Sequence, residues 1–265
     1  MQIELRAQAR ELLLCCDAGA KAAGTRALMV SSPLNTDAVM DEPDNLPGRP
    51  ARPALVPFNA LPRRSSATAH GRAVLIHALA HIELNAIDLA LDIVWRFAGL
   101  PDIFYRQWLG VAREEALHFE LLRAHLNALG HDYGDFPAHN GLWEMAEKTR
   151  HDPLARLALV PRTLEARGLD ASPPMKARLL AAGDTAAAGI LDVILRDEIG
   201  HVAVGNHWYR YLCTQRGLDP IATYAALARE HGAPRLRGPF NLPARRAAGF
   251  DETELALLQD SAQDP

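Results

Sequence analysis

Apolar residues recur at helical spacing along most of the chain, and the pattern stops where Gly and Pro gather. Residues 2–22 predict a short amphipathic helix, with Leu5, Leu12, Leu13 and Cys16 on one face. Residues 31–66 lose the periodicity. They carry Pro33, Pro43, Pro47, Pro50, Pro53, Pro57 and Pro62, and they predict an extended segment that wraps the main body or links to it. From His70 the texture changes to long runs free of Pro, over 72–98 and then 102–129, broken at Gly99-Leu100-Pro101 and ended at Gly130. A loop rich in Gly, His and Asp runs to about 140, and a short helix over 143–148 follows.

The third long run starts near Asp152, a good N-cap, with Pro153 at the first helical position. Pro161 predicts a kink, and Gly168, Pro173 and Pro174 predict a break over 168–174. Gly183 and Asp184 separate this run from a fourth over 184–216, closed by Gly217. A helix at 219–231, a loop with Pro234, Pro239 and Pro243, and a last helix opened by an Asp251/Glu254 capping box complete the chain.

Composition narrows this picture. Of 265 residues, 49% are hydrophobic and only 6% aromatic, which suits a large helical core. A net charge of -4 gives no global basic field for nucleic acid or membrane. Cys15, Cys16 and Cys213 form no disulfide framework, so a reducing compartment is expected. Leu12–Leu14 before Cys15 hints at a lipoprotein signal, but Glu4, Arg6, Arg10 and Glu11 stand where such a signal needs apolar residues. No stretch reads as a membrane span, and a cytoplasmic protein is expected. The pairs Arg63-Arg64 and Arg245-Arg246 read as salt-bridge partners in loops.

Two segments share one chemical pattern, Glu114-Glu115-Ala116-Leu117-His118 and Asp197-Glu198-Ile199-Gly200-His201. In each, a Glu and a His three residues apart lie on one helix face and can reach a common ion. One copy is weak, but here each is preceded by a helix with a well-placed Glu, Glu83 and Glu165. Two such Glu residues and two E-x-x-H motifs are the ligand set of a di-metal four-helix bundle. Glu83 and Glu115 are equidistant from Gly99, and the midpoint of Glu165 and Glu198 falls beside Gly183, so each pair sits at one level of an antiparallel hairpin.

Four buried carboxylates need compensation, which two divalent cations supply. Imidazole with carboxylate suits iron or manganese. Glu114 and Asp197 are candidates to orient the free nitrogen of each His, ahead of Asp88, Asp192 and Arg196. His81, His125, His131, His139, His151 and His207 have no such pairing and read as surface or supporting residues.

These motifs, together with the segments Ala80–Ala90, His131–Pro137, Pro161–Gly168 and Arg196–Val202, resemble the ferritin-like superfamily over nearly the whole chain. The nearest likeness is to uncharacterised bacterial proteins with a ferritin-like domain of unknown function. More distantly, Glu165-Ala166-Arg167 is similar to the di-iron tRNA hydroxylases that act on a modified adenosine. The resemblance implies an all-α ferritin-like four-helix bundle, two antiparallel hairpins joined by a long crossover, over 71–217. An N-terminal helix and Pro-rich arm occupy 1–70, and a helical extension packed on the bundle occupies 218–265. It implies two iron ions, with manganese as the alternative, held by Glu83, Glu115, His118, Glu165, Glu198 and His201.

The expected activity is an oxygen-activating oxidoreductase with dioxygen as co-substrate, a small-molecule or nucleoside substrate and an external electron donor; a homodimer is allowed and no membrane is needed. Ferroxidase or storage, peroxide scavenging, a non-enzymatic bundle and tRNA modification are the other readings. The last requires a basic groove from Arg162, Arg167, Arg196, Arg235 and Arg237.

Overall fold

A computed structural model describes residues 4–62 and 64–263, with side chains to 260, so Arg63 lies outside the described residues. Among the described residues the chain is helical, with no strand beyond one isolated bridge between Leu55 and Ala138. It divides into two compact units. The first holds the residues up to Trp143 together with Asp184–Ile190, and the second holds Glu144–Gly183 and the chain from Leu191 onward.

In the first unit, α1 (Leu5–Leu13) and α2 (Ala18–Ala27) replace the single helix expected over 2–22. The chain breaks because Asp17, in an extended conformation, accepts from the Ala20 N–H and so opens a new helix. Leu5, Ala9 and Leu13 form the buried face of α1. The long helices α3 (Ala69–Arg96) and α4 (Asp102–Ala128) pack on one another along their length, turning at Gly99, whose φ of 76° suits glycine. α1 lies on α3 and α2 on α4. By length and composition α3 is apolar enough to cross a membrane, contrary to the sequence reading, but 89% of that stretch is buried inside the protein. A core helix, apolar all round, passes the same test.

The Pro-rich segment is extended and fastened to this unit. The buried Arg6 guanidinium donates to the carbonyls of Asn35, Thr36 and Ala38 in the arm and to those of Val94 and Trp95 at the end of α3. A cation there meets the unsatisfied carbonyls and the negative end of the helix dipole together. Lys21 on α2 pairs with Asp88 on α3 at 2.5 Å, out of water, and donates to the Gly48 carbonyl. A side chain at Gly48 would collide with the backbone of Leu14, so the arm crosses there only as glycine.

In the second unit, α5 (Gly141–Lys148), which starts in the first, leads to α6 (Pro153–Leu159), a π-turn (Val160–Glu165) and α7 (Ala166–Ala181). Asp152 caps α6 as expected, accepting from Leu154 N–H. The kink expected at Pro161 is the π-turn, in which the Ala166 N–H reaches back to the Pro161 carbonyl.

The break expected over 168–174 does not occur, and α7 runs through Pro173 and Pro174. Pro173 cannot donate to the Leu169 carbonyl, and the Asn241 side-chain amide does so instead, at 3.1 Å. α8 (Thr185–Gln215) ends at Gly217, with φ 63°. α9 (Pro220–Glu230) packs on α6, α10 (Leu242–Ala247) on α7, and α11 (Glu252–Gln263) on α10. Asp251 and Glu254 form the reciprocal capping box at the start of α11. A core of Ala166, Leu169, Val202, Ala244, Ala248, Phe250 and Leu255 joins these elements. Arg245 and Arg246 are ion-paired, with Asp170 and Glu252, but on α10 rather than in a loop.

Candidate metal centre

The turn at Gly99 brings the α3 and α4 positions named by the sequence together inside the first unit. Glu83 is 3% exposed, and Glu115 and His118 are 0% exposed. His118 Nδ1 lies 3.2 Å from Glu115 Oε2 and 3.4 Å from Glu83 Oε2, and the donor atoms of all three lie within 4.8 Å of one another. Glu83 Oε2 and Glu115 Oε1 are both buried out of water.

The electrostatics follow from this crowding. Burial and the neighbouring Glu115 push the Glu83 carboxyl up to about 8. Burial by itself would lower His118, but hydrogen bonds and charge from Glu115 and Glu83 raise it to about 12. In the absence of a cation the trio therefore holds on to protons that the same groups would lose in water. Two carboxylates and an imidazole converging in a dry site are a donor set that fits a divalent metal ion.

In the second unit, Glu198 and His201 are buried on one face of α8, with His201 Nδ1 3.9 Å from Glu198 Oε2. Glu165 ends the π-turn, half-buried, with Oε2 out of water. A Cβ on Gly205 would come within 2.5 Å of Pro161 Cβ, so the π-turn and α8 touch at these residues. Lys176 on α7 pairs with Asp192 on α8 further along, which makes the two segments antiparallel. Counting from the Pro161–Gly205 contact, Glu165 stands level with His201, one turn from Glu198. Within this unit Glu198 and His201 thus form a buried Glu/His pair of ligating type.

Glu114 is exposed, and Asp197 accepts from both the Nε and the Nη2 of Arg196. Asp88 is engaged by Lys21 and Asp192 by Lys176.

Sequence reasoning missed the support on the other face of α3. His81, read as a surface or supporting residue, is buried. Its Nδ1 accepts from the Tyr133 hydroxyl at 2.8 Å and its Nε2 donates to the His139 carbonyl at 3.0 Å. His77, one turn earlier, accepts from the Gly134 N–H, and Tyr133 stacks on both imidazoles while meeting Phe119 edge-on. Burial lowers both histidines to about 4, so they are neutral anchors for the 131–139 loop. The spacing of His77, His81 and Asn85, four apart on one helix face, was the signal available for this network. Arg162, one of the five arginines named for a basic groove, is buried.

Residues 14–256 match the family described as protein of unknown function (DUF455). A protein of Haemophilus influenzae described as an uncharacterized protein is 48% identical over 227 residues, which cover 83% of this chain and 79% of that one. No solved structure matches the chain.

Proposed function

The chain belongs to the DUF455 family, and from that premise we propose that it is a di-iron carboxylate oxidoreductase of the ferritin-like kind, acting with dioxygen on a small organic substrate. Glu83, Glu115, His118, Glu165, Glu198 and His201 would hold the two ions. The observation that carries this reading is the buried Glu83–Glu115–His118 trio, two carboxylates kept dry against an imidazole. The order Glu, E-x-x-H, Glu, E-x-x-H along the chain supports a second ion, because it is the arrangement in which such bundles share two metals. Manganese fits the same donors.

Bound iron would supply the one-electron and oxygen chemistry. The chain's own part is more modest and follows from its residues. Ionised Glu83 and Glu115 would neutralise the cations, neutral His118 and His201 would each offer a ring nitrogen, and the apolar faces of α3 and α4 keep water out. The protons that Glu83 and His118 retain in the metal-free protein leave as the metal enters.

The direct test is metal analysis of protein purified under low oxygen, with absorption spectra before and after admitting air. Two irons per chain and a new near-ultraviolet band after air are the expected result. A protein that takes up neither iron nor manganese, with Glu115→Gln behaving like the wild type, overturns the reading. Many irons per chain, in a shell-like assembly, would replace the oxidoreductase by iron storage.

A further inference from the structure

Within the second unit, the residues that fix the π-turn form an unusual group. The Arg162 guanidinium is buried, with the residue only 4% exposed. Its Cζ lies 4.4 Å from the ring centre of Tyr209, 5.1 Å from Phe250 and 5.4 Å from Tyr224. Its Nη2 donates to Glu254 Oε1 at 2.7 Å, while Nε and Nη1 are buried with no hydrogen-bond partner among the described residues. Glu254 is held in turn, its Oε2 accepting from Arg210 Nη2 and from the Asp251 N–H.

The residues on either side of Arg162 are pinned as well. Pro161 abuts Gly205 on α8, and the Thr163 hydroxyl donates to the Ala158 carbonyl while accepting from Tyr224 on α9. Three consecutive residues are thus clamped from α8, α9 and α11.

A cage of this kind is a costly way to fill space. A buried guanidinium with two unsatisfied donors is less stable than a Met or Leu of similar volume, even after the cation–π attraction is counted. What it secures is the π-turn. A π-turn holds one more residue than an α-helix of the same length, and its relaxation would rotate everything beyond it by about 100° per residue. Glu165 ends this turn.

We infer that Arg162 and Glu254 are positioning residues for Glu165: the buried ion pair in its aromatic cage keeps the π-turn wound so that the Glu165 carboxylate is presented level with His201. The inference rests on the di-metal reading of the site and gives the C-terminal helix α11 a part in it.

The test uses the full-length chain and cobalt(II) as the probe, added without oxygen. Metal-to-protein ratio and visible ligand-field absorption are recorded together with circular dichroism and melting temperature. The variants are Arg162→Met, Glu254→Gln and, as a control for a broken ion pair elsewhere in the same unit, Arg216→Ala, which releases Asp152. The wild type and Arg216→Ala are expected to bind two cobalt ions. Arg162→Met should keep one tightly bound ion and bind the second at least tenfold more weakly, with a changed ligand-field band. Glu254→Gln should show the same change to a smaller degree, and it decides the matter if Arg162→Met does not fold. Two ions bound with wild-type affinity and spectrum in the folded variants, or a loss no larger than in Arg216→Ala, would overturn the inference. A wild type that binds no cobalt would instead overturn the di-metal reading, and the inference with it.

Discussion

At Glu115 the side chain has no access to water and lies beside a second carboxylate, Glu83, on the facing helix. Such a residue is a poor choice for stability and a good one for holding a cation. Glu115→Gln is therefore expected to leave the melting temperature of the metal-free protein unchanged or higher. It should also abolish the stabilisation that iron(II) or manganese(II) confers on the wild type, about 2.7 kcal/mol when free metal is a hundredfold above its dissociation constant. Calorimetry with and without metal reads both effects.

The protons are a second handle at this scale. Glu83 keeps its proton to about 8 in the fold and loses it near 4.5 when unfolded; His118 keeps its own to about 12, against 6.5. Both groups bind more protons in the folded state, so their contribution is complete below the unfolded values and is lost as pH rises through the folded ones. Metal-free protein should accordingly become easier to unfold with urea from pH 6 to pH 9. Metal affinity should rise over the same range as the competing protons leave. A urea midpoint that climbs with pH in the metal-free protein would refute this account of the trio.

Among the elements, the π-turn and α7 separate what could be read from the sequence from what could not. The long runs, their turns at Gly99 and Gly183, and the caps at Asp152 and Asp251 were legible, because each depends on residues within a few positions of one another. The Glu83–Glu115–His118 trio was legible for the same reason, since a spacing of three and a glycine turn fix it locally. The continuity of α7 through Pro173 and Pro174 was not, because the donor that replaces the missing N–H comes from Asn241, far along the chain. Arg162 was named only for a basic groove, since nothing near it in sequence announces Tyr209, Tyr224, Phe250 or Glu254. The roles of His77 and His81 were not legible either, their partners lying in the 131–139 loop.

The close approach of Pro161 to Gly205 yields a prediction for this scale. Gly205→Ala would normally favour a helix, but the added methyl group meets the proline ring. A loss of about 1–3 kcal/mol in urea unfolding is expected, accompanied by weaker binding of the second metal ion. Gly189→Ala on the same helix meets nothing within 4 Å and should gain about 0.5–1 kcal/mol.

Across the whole molecule, the arm and the helices are tied by a few buried cations rather than by apolar contact alone. Arg6→Met would leave the carbonyls of Val94, Trp95 and the arm short of a donor. The expected loss is roughly 3 kcal/mol or more, since each buried acceptor left without a partner costs about 1–3 kcal/mol. Limited proteolysis should then cut within residues 31–66 at lower protease levels than in the wild type.

The stretch Asp184–Ile190 belongs to the first unit, although forty residues of the second precede it in the chain (Glu144–Gly183). There Asp184 takes its hydrogen bond from His125 and lies beside Arg72. A ribosome making this protein therefore delivers α3 and α4 long before the piece that completes their surroundings. Neither unit is finished when its first residues emerge, and the nascent chain must wait with His125 and Arg72 short of their partner Asp184. A gene cut after residue 143 would freeze that unfinished state, so the fragment 1–143 should reach its native stability only when Asp184–Ile190 is supplied to it.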